Sequence, residues 1–259
     1  MNVSTISGLC NEWARIHRLA AWTAFWLIGE ASTDDTIDAW HDLYSLPRNE
    51  MVHFLGELRQ AATDYSDHTA DDPLVRIVLA APGDPPHLPG HSDDQKAISR
   101  AGAGLVISSG DPDSRVLVIP SRSDGIPRLT ASSIGEDVPA PPAPAIGEAD
   151  LALSEATRNA ASMITSMRAA IADVPDVRLR VGTLTDFYDS AGFPAGFNPR
   201  AEKLSARADH LSAIIDTARA TDNGATWDEH VLPLLRVIRQ ARIASLDYAV
   251  REMLRAIPR

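Results

Sequence analysis

The chain has 259 residues, of which 44% are hydrophobic and 23% charged, a balance typical of a globular protein with a real core. Its formal net charge is −11, with 24 Lys and Arg against 35 Asp and Glu. This excess of acids argues against binding to nucleic-acid phosphates, which requires clustered cations, and against docking on an anionic membrane surface.

The first 66 residues are predicted to be helical. Trp13, Trp22 and Trp26 belong to apolar stripes that cover two faces of the first helix. A helix that is apolar on two faces is either central to its own fold or shared with a partner. Trp is enriched at interface hot spots, so these three residues are candidate interface residues of a homodimer. A central helix is the alternative.

The lone cysteine, Cys10, cannot form an internal disulfide, which is consistent with a reducing, cytoplasmic environment. It is interpreted as a small packed residue, with a nucleophile as the alternative. No stretch of 18 consecutive apolar residues occurs in the sequence, so we expect no transmembrane helix and no membrane partner.

Residues 73–133 are predicted to be rich in strands. Apolar, β-branched segments at 74–80, 104–108, 116–119 and 127–133 are bounded by Pro, Gly and Asp. Asp124-Gly125 between the last two is a good hairpin signal. We therefore expect an antiparallel meander of three strands, with the strand at 74–80 added.

The second half is predicted to be mainly helical over residues 148–257. Residues 139–144 form a Pro-rich segment, interpreted as a stiff connector, with a ligand for a proline-binding groove as the alternative. Asn198-Pro199 is typical of a helix start, and Pro233 predicts a kink or a delayed start in the last helix. The fold class is therefore α+β: a small, mainly antiparallel sheet flanked by N-terminal and C-terminal helices that pack together. We expect residues 1–259 to form a single composite domain.

The loop at residues 82–91 holds four prolines, so we expect it to be ordered. Its Asp84, His87 and His91 are candidate ligand-binding residues because long rigid loops often carry function. The alternative is structural, with a tight turn and prolines that cover a sheet edge. The two His are four residues apart, but the prolines argue against the helix that would make this a zinc spacing. We therefore expect no metal site.

Arg200 stands at a predicted helix N-terminus, where anions are favoured, and is a further candidate ligand-binding residue. Gly102-Ala103-Gly104 precedes a strand, whereas a dinucleotide fingerprint follows one, so no nucleotide cofactor is expected. A nucleophile elbow and a phosphate-cradling Gly-Lys-Ser/Thr loop are both missing from the sequence. We therefore assign no catalytic residue and no cofactor.

Residues 81–90 contain Ala-Pro-Gly-Asp followed by Leu-Pro-Gly, and residues 193–201 read Phe-Pro-Ala-Gly-Phe-Asn-Pro-Arg-Ala. Both segments resemble motifs of an uncharacterised actinobacterial protein family of about this length, over about residues 70–255. The resemblance implies a strand-rich middle flanked by helices, and it implies no activity. The sequence departs from the family after the first motif, where residues 91–94 are more polar.

The leading hypothesis is a soluble, non-enzymatic interaction or regulatory protein that binds a protein partner or itself. The alternative is a small-molecule or metal-dependent enzyme, or a ligand binder, with its site under residues 82–91. A third hypothesis is a nucleic-acid contact through Arg178, Arg180 and Arg200, which the charge balance disfavours.

Overall fold

The computed structural model describes residues 6–62, 73–88, 92–108, 114–123, 126–135, 143–170, 192–221 and 228–256. These ranges contain seven helices and four strands, which confirms the α+β class. The helices are α1 (Ile6–Ile28), α2 (Thr33–Tyr44), α3 (Arg48–Ala61), α4 (Asp93–Ala101), α5 (Ile146–Ala170), α6 (Pro199–Thr221) and α7 (Asp228–Ala256). The strands are β1 (Val75–Leu79), β2 (Ala103–Ser108), β3 (Ser114–Ser123) and β4 (Ile126–Gly135).

The four strands form one antiparallel sheet in the order β1-β2-β3-β4. This is the predicted meander with the first strand added. Ser123 pairs with Ile126, so β3 and β4 form the hairpin that Asp124-Gly125 predicted, although those two residues lie outside the described ranges. Both strands of the hairpin are longer than predicted. The added ends of β3 are mainly polar and weaken its apolar pattern, whereas β4 gains Ile126 at its start and Ile134-Gly135 at its end.

Both faces of the sheet are covered. On one face, Ile77, Leu105 and Val118 join a large core that includes side chains of α1, α6 and α7. On the other face, Val106 and Leu117 join a smaller core with Ile98 of α4. Burial on two faces explains why the strands read as continuous apolar runs rather than as alternating ones.

Helix α4 lies within residues 73–133, where the sequence predicts strands and no helix. Ser92 caps its start by accepting a hydrogen bond from the Gln95 amide at 3.0 Å, and Gly102 ends it with φ of 86°. Gly104 lets the helix approach the sheet closely: a Cβ there would lie 2.3 Å from Ile98 Cδ1 and 2.9 Å from the Val118 carbonyl oxygen. Gly102 therefore ends the helix, and Gly104 allows it to pack on the sheet.

Helix α1 is the centre of the fold and contacts α2, α6, α7, β1 and β2. This location accounts for its two apolar faces. Helix α6 begins at Pro199 as predicted, with the Arg200 amide donating to Asn198 Oδ1 at 2.9 Å. Pro233 lies inside α7, which begins at Asp228. Of the two predicted effects of this proline, the delayed start is wrong and the kink stays a prediction. Among the described helices, none is both long and apolar enough to cross a bilayer.

Candidate functional site

A cleft of about 480 Å³ opens between α1, the end of α2, α4 and the β3–β4 hairpin. We call it the Glu12 cleft. Its volume falls within the range of small-molecule sites, roughly 300–1,000 Å³. The lining combines a polar group at the base with an apolar wall, and it comprises Glu12, Arg15, Tyr44, Ala97, Arg100, Ala101, Ile119, Pro120, Ser121, Pro127 and Thr130.

Glu12 is the buried polar group of this cleft. Glu12 is 5% exposed, and its Oε1 accepts a hydrogen bond from the Tyr44 hydroxyl at 2.7 Å. Burial raises the pKa of the Glu12 carboxyl, while Arg15 and the Tyr44 hydrogen bond oppose the rise. A carboxyl with a raised pKa in a cleft is a recognised mark of functional sites.

Tyr44 and Arg15 hold the carboxyl in place. Burial, and then the neighbouring Glu12 charge, raise the pKa of the Tyr44 hydroxyl well above its ordinary value, so the hydroxyl stays protonated and donates. Arg15 Nη1 lies 3.5 Å from Glu12 Oε2, and its guanidinium carbon stands 4.1 Å from the Tyr44 ring centroid. Arg15 also donates to the Leu43 carbonyl. The three side chains therefore form one fixed polar group.

Arg100 supplies the rim of the cleft. It is exposed, and its Nε donates to the Lys96 carbonyl of its own helix at 3.3 Å. Ala97 and Ala101, on the same helix, are small residues that leave room beside it. The Glu12 cleft therefore presents a buried carboxyl, an apolar wall and a cationic rim.

The candidate residue Asp84 is used to anchor its loop. Arg239 of α7, which is 5% exposed, donates to its carboxylate and, at 3.2 Å each, to the Leu79 and Asp84 carbonyls. Arg236 Nε lies 3.6 Å from the same carboxylate. Leu88, later in the loop, is 4% exposed in the smaller core. Over residues 82–88 these contacts fit the structural interpretation of the loop.

The other candidate ligand-binding residues are dispersed. His87 is exposed, and His91 lies outside the described residues, as do Arg178 and Arg180. Arg200 is exposed at the start of α6, where its guanidinium carbon stands 5.9 Å from the Tyr248 ring centroid. None of the described members of this set lines the Glu12 cleft. Within the described ranges, no three His, Cys, Asp or Glu side chains converge on a point that could hold a metal ion.

The three candidate interface tryptophans make their contacts inside the chain. Trp13 is fully buried and its Nε1 donates to the Gly102 carbonyl at 3.0 Å. Trp26 is 4% exposed and donates to Thr33 Oγ1, and the half-buried Trp22 donates to the Gly192 carbonyl. A partner that used the Trp13 or Trp26 ring would have to open the fold. The burial of Trp13 and Trp26 favours the central-helix alternative for these two residues, and the interface role of Trp22 stays a prediction.

A second cleft of about 270 Å³ lies between α3 and the β4 strand. Its floor is apolar, and its rim carries charges of both signs. The residues that line it are Leu46, Glu50, Met51, His53, Phe54, Glu57, Arg128 and Leu129. Neither described cleft is lined by residues 82–88.

Sequence reasoning missed Glu12 and Tyr44. The sequence does hold one signal for Glu12: it lies in a helix that is apolar on two faces. A buried acid in such a helix requires a hydrogen-bond partner. Its partner Tyr44 is 32 residues away, so their contact depends on how α1 and α2 cross.

Two family models match consecutive parts of the chain. The Rv1486c-like protein, N-terminal domain, matches residues 17–145, and the Rv1486c-like protein, C-terminal domain, matches residues 147–243. Uncharacterized protein ML1804 of Mycobacterium leprae is 24% identical over 91% of this chain and 97% of that protein. Uncharacterized protein Rv1486c of Mycobacterium tuberculosis is 26% identical, with 90% and 96% covered. No solved structure matches the chain significantly.

Proposed function

The chain belongs to the Rv1486c-like protein family, and we propose that it binds a small molecule in the Glu12 cleft. The observation that carries the proposal is a buried carboxyl whose pKa is raised by burial, at the base of a cleft of about 480 Å³. A buried, hydrogen-bonded ionisable group is costly to maintain in a fold that needs only stability. Its presence beside an open cleft therefore favours a role in recognition.

The lining suggests the chemistry of the ligand. Ala97, Ile119 and Pro120 offer an apolar surface, so the body of the ligand is apolar. Arg100 at the rim suits an acidic substituent, since a guanidinium forms strong charge-assisted hydrogen bonds with carboxylates and phosphates. Glu12 then pairs with a polar group at the far end of the ligand. We propose an amphipathic metabolite with one anionic group.

A thermal-shift screen of anionic metabolites, followed by calorimetry on the hits, tests this function. The unfolding midpoint should rise with a ligand in the wild type and in Glu57→Gln, which changes the rim of the second cleft. It should rise much less in Glu12→Gln. Ala97→Phe, which fills the Glu12 cleft without changing a charge, should also abolish the response.

Two outcomes would contradict the proposal. One is a hit whose affinity is unchanged in both Glu12→Gln and Ala97→Phe, because that ligand binds elsewhere. The other is the absence of any hit while the second cleft or a protein partner accounts for binding.

The interaction or regulatory role predicted from the sequence is a second candidate function, with a homodimer as its simplest form. It is favoured by two separate apolar features of α3: the apolar floor of the second cleft, and the Val52 side chain on another face of the helix, which is 57% exposed. Light scattering after size exclusion measures the assembly state. A dimer that dissociates in Val52→Glu would support this role, and a monomer at all concentrations would count against it. Cytoplasmic location belongs to the same proposal and is tested by fractionation.

A further inference from the structure

The carboxyl of Glu12 has one oxygen that keeps its hydrogen-bonding capacity for a ligand. Oε1 accepts from the Tyr44 hydroxyl at 2.7 Å, whereas Oε2 lies 3.5 Å from Arg15 Nη1, which is longer than a normal hydrogen bond. A carboxyl oxygen has lone pairs for about two hydrogen bonds. Because Glu12 lines the cleft, the group that a ligand places at the base of the cleft meets Oε2.

Arg15 already supplies a counter-charge for this carboxyl. Its guanidinium is fixed, because it donates to the Leu43 carbonyl and its central carbon stands 4.1 Å from the Tyr44 ring centroid. Burial raises the pKa of Glu12, and Arg15 is the strongest of the neighbours that oppose the rise. A ligand ammonium at Oε2 would lie beside this guanidinium and be repelled by it. The base of the cleft therefore favours a neutral group.

A hydroxyl is the smallest neutral group that fits the carboxyl in both of its protonation states. It donates to Oε2 of the ionised form. It accepts from the protonated form, whose proton is on Oε2 because Oε1 is the acceptor of Tyr44. The raised pKa of Glu12 keeps the protonated form populated at a higher pH than usual. An ammonium can only donate, and a methyl group can do neither.

The hydroxyl groups of the lining are engaged within the protein. Ser121 Oγ donates to the Arg128 carbonyl at 3.4 Å, and Thr130 Oγ1 donates to the Ile119 carbonyl at 3.2 Å. The proton of Tyr44 is likewise engaged. A hydroxyl has a single proton, so these groups cannot also donate to an anion. Among the described side chains of the lining, an anionic group of the ligand is therefore met by a guanidinium.

Arg100 is the exposed guanidinium at the rim. Its Nε donates to the Lys96 carbonyl at 3.3 Å, and within the described part of the chain its two terminal nitrogens are in no ion pair. The acids of the same helix, Asp93 and Asp94, lie about two turns away, and Asp93 pairs with Lys96 at 2.8 Å. The terminal nitrogens of Arg100 can therefore pair with a carboxylate of the ligand.

We propose that the ligand of the Glu12 cleft is an amphipathic hydroxy acid, with its hydroxyl and its acid group at opposite ends of an apolar body. The hydroxyl binds Glu12 Oε2, the body lies against Ile119 and Pro120, and the acid group pairs with Arg100. This inference rests on the proposed small-molecule function and names its ligand class. The cleft should therefore distinguish a hydroxyl from an ammonium or a methyl group at the inner end of the ligand.

Calorimetric titration with octanoate and with its ω-hydroxy and ω-amino derivatives tests this class, repeated with the hexanoate and decanoate series. Within a series the three acids share their carboxylate and differ only at the far end. The ω-hydroxy acid should bind the wild type at least about tenfold more tightly than the other two, because it alone makes a neutral hydrogen bond to a charged group. Arg100→Gln should weaken all three acids by the same factor. Arg158→Gln is the matched control, since Arg158 is exposed on α5 and lies outside the lining.

An ω-amino or unsubstituted acid that binds as tightly as the ω-hydroxy acid would overturn the inference. The proposed function would then still stand if Ala97→Phe abolishes that binding. If no member of any series binds the wild type, the hydroxy-acid class and the anionic ligand of the proposed function both fail. Equal affinities in Arg100→Gln and Arg158→Gln would refute the pairing of the acid group with Arg100.

Discussion

Replacing Asp209 with Asn is expected to lower the free energy of unfolding by about 3–5 kcal/mol, the usual cost of removing one partner from a buried ion pair. The Asp209 carboxylate is 4% exposed and accepts from Arg18 at 2.9 Å and from Arg242 at 2.6 Å. Asn keeps the shape of the side chain but removes its charge, and its NH₂ group turns two donors toward a guanidinium. Arg18 and Arg242 would then remain in the core without the carboxylate to which both donate.

Urea unfolding followed by circular dichroism measures this difference. For a chain of this size, the midpoint of thermal unfolding should also fall by roughly 10 °C. Asp38→Asn is the matched control: its pair with Arg48 has side chains 56% and 61% exposed, and it should change stability by less than about 1 kcal/mol. A loss at Asp209 no larger than that of the control would refute the reasoning, since it would mean that water already solvates these groups.

Gly104→Ala should cost about 1–3 kcal/mol, because the new Cβ meets a backbone oxygen at 2.9 Å, and an unchanged urea midpoint would contradict this. Gly56→Ala, in the open on α3, should instead stabilise by about 0.5–1 kcal/mol. Burial raises the pKa of the Cys10 thiol to about 12, so a thiol reagent should label it only after unfolding; rapid labelling of the native protein would show that it is accessible. Folding raises the pKa of Glu12, so this residue contributes most to the free energy of unfolding when its carboxyl is protonated. The wild type should therefore lose stability relative to Glu12→Gln as pH rises from below the ordinary Glu pKa through the raised value, and a constant difference across that series would count against the assigned direction.

The strands and the start of α6 were predictable because local chemistry defines them. Proline and glycine bound the apolar segments, and Asn198-Pro199 sets a helix start by itself. Helix α4 is not predicted because it has no apolar stripe. Among its described residues, Ile98 is the one buried hydrophobic side chain. Its end signals, a Ser92-x-x-Gln95 capping box and Gly102, were present in the sequence, but without a stripe they were insufficient.

The sites were less predictable than the fold. Asp84 is a candidate ligand-binding residue in the sequence, but its partner Arg239 is 155 residues away, and only the packed structure shows that the pair anchors a loop. Glu12 and Tyr44 likewise meet only because α1 crosses α2. A sequence pattern records which residues share a helix face, and it contains no direct record of which two helices cross.

The central position of α1 has a consequence for synthesis. Its apolar faces are completed by α6 and α7, and the first residue of α7 is 200 residues beyond the last residue of α1. At a ribosomal rate of about 5–20 residues per second, α1 emerges roughly 10–40 s before its last partner exists. During that interval, the faces of α1 that pack on α6 and α7 lack their final covering. The nascent chain is therefore expected to depend on chaperones that bind exposed apolar helices, whereas in the folded protein α1 is covered.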